Sequence, residues 1–130
     1  MQKLQLAKAA LKRGSICHWH QPFGNHLAVI LNLEWPPPDD VVLFSIMTSS
    51  KFPSFVNNEI IRTGPSDYGF LNRDTVIDLR EVHAAALSKI VVQPQFVVRG
   101  ELISDHMERT NEILRASRTI SQDVLDRIVI

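Results

Sequence analysis

A chain of 130 residues, 45% hydrophobic and 22% charged, is long enough to bury one core and too apolar for a disordered or fibrous protein. Fourteen basic and fourteen acidic residues cancel to a formal net charge of +0, which excludes the global positive field of a duplex-binding protein and leaves any nucleic-acid contact to a local patch. The single cysteine, Cys17, excludes an intrachain disulfide and a thiolate zinc cage.

Leu4, Ala7 and Leu11 recur at helical spacing, with Lys12 and Arg13 in the last turn and Gly14 as a left-handed stop, so the chain opens with a short amphipathic helix. Residues 16–20 alternate as a strand does, residues 21–25 break the pattern, and residues 27–33 form an aliphatic run that completes a hairpin. Three prolines within residues 35–40 mark an exposed connection, after which residues 41–47 read as a buried third strand. Residues 48–58 dissolve into a polar loop with two aromatics, Phe52 and Phe55, and loops of that length in a small domain are often functional.

Further along, residues 59–62 suggest a short strand, 64–67 a turn, and 73–79 a strand carrying Val76 and Ile77. Residues 90–92 and 96–98 suggest one more, interrupted at Pro94. Ser104 reads as the N-cap of a helix in which Met107, Thr110 and Leu114 share a face, and Thr119 or Ser121 starts another that uses Val124, Leu125 and Ile128. Strands in sequence without crossover helices, followed by helices, predict a single α+β domain, residues 1–130, with an antiparallel sheet or small barrel. No apolar run approaches the roughly 20 residues of a membrane span, and the amino terminus reads as a helix, not a signal sequence, so the cytoplasm is the expected location.

Chemistry is expected first at the histidines, because imidazole exchanges protons near neutral pH. His18 and His20 share one face of a strand, and His26 opens the strand that pairs back. A metal would suit their spacing, but no acidic or thiol ligand joins them, so paired surface histidines are the plainer reading and no metal is expected. Thr48, Ser49, Ser50 and Lys51 present three hydroxyls and an ammonium that suit a phosphate, or form an ordinary turn. Asp78 and Arg80 share a face as a structural pair or an anion clamp. The basic run Lys3, Lys8, Lys12 and Arg13 is a candidate patch for nucleic acid, although such residues more often solvate a helix.

Four segments in order resemble the PemK/MazF family of bacterial toxins: Arg13-Gly14-Ser15-Ile16, the strand at residues 27–32 ending in Asn32, Met47-Thr48-Ser49, and Tyr68-Gly69-Phe70 followed by Asp74-Thr75-Val76-Ile77. The final helices fit as well. The resemblance implies a small SH3-like antiparallel β-barrel with an N-terminal helix and C-terminal helices. It also implies a cofactor-free endoribonuclease toxin of a toxin–antitoxin pair, which cuts single-stranded RNA through attack of the 2′-hydroxyl on the adjacent phosphate. His20 or His26 then moves protons, Thr48 positions the phosphate, and Arg80 counters its charge, with Ser49, Ser50 and Lys51 holding RNA. A homodimer and an antitoxin segment folding across the RNA groove are the implied partners. A catalytically silent binding module on the same barrel, acting through a protein or RNA partner, is the alternative.

Overall fold

Alternation along the strands sorts the apolar side chains onto two faces of one sheet, and both faces are buried. In the computed structural model, residues 2–21, 24–32, 40–49 and 59–128 are described. Over them the chain runs α1 (Gln2–Ala10), β1 (Ser15–Gln21), β2 (Gly24–Ile30), β3 (Val41–Ser49), β4 (Ile60–Thr63), β5 (Thr75–Ala86), α2 (Leu87–Val91), β6 (Val97–Glu101), α3 (Ser104–Ala116) and α4 (Gln122–Ile128). The strands form a curled six-stranded antiparallel sheet in the order β4-β5-β3-β2-β1-β6. The fold is thus α+β, as the pattern of elements predicts, and no helix among the described residues is long and apolar enough to cross a membrane.

One face carries Ile16, Val29, Leu43, Met47, Ile61 and Ile77 and packs against Tyr68, Leu114 and Ile128. The other carries Cys17, Trp19, Ala28, Ile30, Val42 and Phe44 and packs against Ala7 and Leu11 of α1 and Leu87, Ile90 and Val91 of α2. Each fully buried aliphatic side chain contributes about 1.5–3 kcal/mol, so the sheet needs cover on both sides. Trp19 is a core residue, 2% exposed, and meets Phe44 edge-on with ring centroids 4.9 Å apart. Burial pushes the Cys17 thiol up to about 12, which keeps it protonated and inert.

Local details follow from particular residues. Gly14 ends the turn after α1 with φ 91°, a left-handed conformation that a β-carbon opposes. Buried Asn32 clamps the start of β3, donating from Nδ2 to the Val41 carbonyl at 2.8 Å and accepting from the Leu43 amide at 3.0 Å. Gln21 does the same across the β1–β2 turn with the amide and carbonyl of His26, at 2.9 and 3.0 Å.

Between Phe44, opposite His83, and Ile46, opposite Asp78, the β3–β5 register slips, and Ser45 alone faces residues 79–82. The Ser45 hydroxyl donates to the Glu81 carbonyl at 3.0 Å, anchoring a bulge that bends β5 and curls the sheet.

Three expectations need correction. Residues 90–92 do not form a strand: Leu87, Ile90 and Val91 are buried together at i, i+3 and i+4 in α2, a spacing that a strand would split between two faces. The β5 strand continues past Leu79 to Ala86, where the small side chains Ala84, Ala85 and Ala86 lie opposite Leu43, Val42 and Val41. Ser104 is the first helical residue of α3, and the cap position falls to Ile103, which makes no side-chain cap bond. In contrast, Ser121 caps α4 as expected, its Oγ accepting from the Val124 amide at 3.4 Å. Most of the expected polar loop, including Phe52 and Phe55, and the proline-rich connection with Trp35 lie outside the described residues.

Candidate functional site: a histidine- and hydroxyl-lined groove

The strand ends of β1, β2 and β3, together with the segment that precedes β5, enclose a cavity of about 370 Å3. Its polar lining is His18, His26, Thr48, Ser49, Arg73 and Thr75, joined by Asn72, and its apolar lining is Leu27, Met47, Phe70 and Leu71. Among the described residues, no carboxylate lines it. Two imidazoles, one guanidinium and three hydroxyls, with no carboxylate among the described lining residues, make a site that favours an anion.

Strand register brings these groups to neighbouring strand ends, from both faces of the sheet. His18 lies opposite Leu27, and Leu27 opposite Met47, on one face. One residue along, on the other face, His26 is opposite Trp19 and Thr48 is opposite Val76. Ser49 is opposite Thr75, so the hydroxyl pair closes the strand ends. The Thr75 hydroxyl donates to the Arg73 carbonyl at 3.0 Å, which fixes the turn carrying Arg73. His18 Nδ1 lies 3.4 Å from the Gln95 carbonyl. With its proton on Nδ1 donated to that carbonyl, His18 keeps a lone pair on Nε2.

A buried network supports the segment carrying Phe70 to Arg73. The Tyr68 hydroxyl donates to His106 Nδ1 at 2.7 Å and accepts from the Ile103 amide at 3.1 Å. His106 Nε2 in turn faces Asp67 Oδ2 at 3.9 Å, and Thr63 Oγ1 donates to that same oxygen at 2.7 Å. Burial is the main reason the Tyr68 hydroxyl holds its proton above the usual pH, with the Asp67 charge adding to it against the Ile103 bond.

Among the residues singled out in the sequence, His26, Thr48 and Ser49 therefore meet in one cavity. His20 and Arg80 do not line it. His20 is exposed, with its amide donating to Gln93 Oε1 at 3.0 Å. The Arg80 guanidinium forms two parallel bonds to Asp78, from Nε at 2.9 Å and Nη2 at 2.8 Å, which is the structural-pair arrangement. Ser50, Lys51 and the side chain of Lys3 lie outside what is described. In the amino-terminal basic run, Lys8 pairs with Asp40 at 2.9 Å and Lys12 with Glu101 at 3.0 Å. Arg13 donates to the Leu31 carbonyl at 2.9 Å and to the Asn111 side chain. Those three cations are engaged within the fold.

Burial alone would raise the Asp78 carboxyl, but the bonds and charge of Arg80 outweigh it and hold the group below its usual value. A carboxylate depressed in the folded state contributes stability that is fully present above the unfolded aspartate value of about 3.9 and is lost as pH falls through the lower folded value. Asp78→Asn is therefore expected to flatten the acid limb of stability below about pH 4. Urea unfolding of both proteins at pH 7 and pH 3 checks this, and an unchanged pH dependence would refute it.

Nothing local in the sequence assigns Arg73, Asn72 or Phe70 to this groove, because a loop residue lines it only through strands distant in the chain. His18 is visible as a strand histidine, but its nearness to Thr48 depends on register. No protein-family model and no curated protein matches the chain.

Proposed function

We propose that the groove takes one phosphodiester of single-stranded RNA and cleaves it by metal-independent transphosphorylation. The observation that supports this reading is the convergence of two imidazoles, Thr48, Ser49 and Arg73 on one cavity with no carboxylate among its described lining residues. His18, with Nε2 unprotonated, takes the proton of the ribose 2′-hydroxyl as its oxygen attacks phosphorus, and His26 gives a proton to the departing 5′-oxygen. The new bond is O2′–P and the broken one P–O5′, so the products are a 2′,3′-cyclic phosphate and a 5′-hydroxyl. Arg73 and the hydroxyls of Thr48 and Ser49 stabilise the extra negative charge of the phosphorane. Arg80, paired with Asp78, leaves the charge-stabilising role to Arg73.

The curled sheet with helices before and after it is in keeping with the SH3-like barrel of the PemK/MazF toxins, and the proposal carries a homodimer and an antitoxin segment as partners. Incubation of the purified chain with a long mixed-sequence single-stranded RNA in chelator tests the cleavage directly. Discrete fragments ending in 2′,3′-cyclic phosphate are expected, and intact RNA would overturn it. The engagement of Arg80 by Asp78 favours a second reading, a module that holds RNA or a protein without cutting. RNA that is bound but intact would select it.

A further inference from the structure

Half of the groove is not suited to a phosphate at all. Leu27, Met47, Phe70 and Leu71 contribute an apolar lining, which a backbone-binding site has no use for. A single nucleotide has the matching division, with a flat apolar base joined to a charged phosphate, and about 370 Å3 lies at the small end of ligand pockets, where one nucleotide fits.

Within that apolar lining, among the described residues, only Phe70 offers an aromatic face, and its ring is held in place. Tyr68 stacks beside it, ring centroids 5.6 Å apart and planes inclined by 34°. Tyr68 is itself buried and tied at its hydroxyl to His106 and Ile103. On the β6 side, Gly100 leaves room for the ring: a β-carbon there would lie 3.1 Å from Phe70 Cε1. A residue that is only half-buried yet braced on two sides is a preorganised surface for a ligand, since little side-chain freedom remains to be lost on binding.

We infer that Phe70 is a base-stacking platform that selects unpaired nucleotides for the groove. The inference rests on the proposed RNA reading and names how its substrate is chosen. A base can lie on the ring only after leaving its neighbours in the strand, which a duplex resists, so single-stranded RNA is preferred through geometry and not through charge. Phe70 touches the base and not the reacting phosphate, so it sets affinity and strand preference while the imidazoles carry the chemistry.

The test is binding of a fluorescent single-stranded RNA dodecamer, the same oligomer with abasic sites at alternate positions, and a duplex of equal length. Wild type, Phe70→Ala, Phe70→Leu and Arg73→Ala are compared, with circular dichroism confirming the fold of each. Phe70→Ala is expected to weaken binding of the intact single strand roughly tenfold, with Phe70→Leu intermediate. The abasic strand should bind wild type as weakly as the intact strand binds Phe70→Ala, with no further loss in the variant. Arg73→Ala should weaken intact and abasic strands alike. Equal binding of intact and abasic strands, or a Phe70→Leu protein that folds and binds as wild type, would overturn the stacking role while leaving RNA binding in place. No binding of any strand by wild type would overturn the RNA reading itself.

Discussion

Alanine in place of His18 or of His26 is expected to slow RNA cleavage by about 10²–10⁴-fold, the span that a positioned general acid or base contributes. The two losses should not multiply. Once one proton transfer is unassisted, the second assistant acts on a step that no longer proceeds in concert, and the double variant should fall little below the worse single one. Neither side chain belongs to a core cluster, so the variants should keep the thermal stability of the parent to within a few degrees. Single-turnover cleavage of a labelled oligonucleotide, with binding measured separately, checks the prediction. A fall in affinity at an unchanged rate would assign the histidines to binding alone and would favour the non-cleaving module. His20→Ala supplies the control, since His20 lies outside the groove lining and its loss should leave the rate within about twofold.

Replacing Ile77 by alanine is expected to cost about 2–5 kcal/mol of stability, a large share of what a domain of this size has. Ile77 is fully buried and sits in register between Met47 of β3 and Ile61 of β4. Its side chain is walled by strands on both sides, so the neighbours have little room to collapse into the space left behind. For a chain of this size the melting temperature should fall by on the order of 10 °C. Urea denaturation should show a lower midpoint with an unchanged slope, and a midpoint shift worth under about 1 kcal/mol would show that the core relaxes more than the pairing suggests. Leu6→Ala, at a side chain 63% exposed, should change stability by no more than about 0.5 kcal/mol.

Much of the fold is legible in the sequence because local pattern and tertiary burial agree. The alternation in residues 16–20, the buried run in residues 41–47 and the Gly14 stop each predict what forms. Residues 87–91 mislead because a short apolar run has no period of its own, and the i, i+3, i+4 spacing that decides for a helix shows only when Leu87 is read together with Ile90 and Val91. The site is half legible. His26 and Thr48 attract attention by residue type and by standing at strand ends, whereas Arg80 reads as a partner of Asp78, the commoner arrangement, or as a clamp, and only geometry separates the two. No sequence signal places Phe70 and Arg73 in the groove, since their nearness to His18 comes from pairing between strands far apart in the chain.

Burial on both faces of the sheet also governs when this protein can become stable as it leaves the ribosome. The meander β1–β2–β3 is contiguous in the chain and emerges early. Yet its faces then expose Ile16, Val29 and Met47 on one side and Trp19, Ile30 and Phe44 on the other. Cover for the second face is incomplete until α2 is made, and cover for the first until α3 and α4 follow it. The outer edge of β1 waits just as long, because its partner is β6. Pairings so distant in sequence fold slowly. A nascent chain that lacks these elements leaves the apolar faces of β1–β2–β3 without their cover, the state in which a chaperone would have the most to bind.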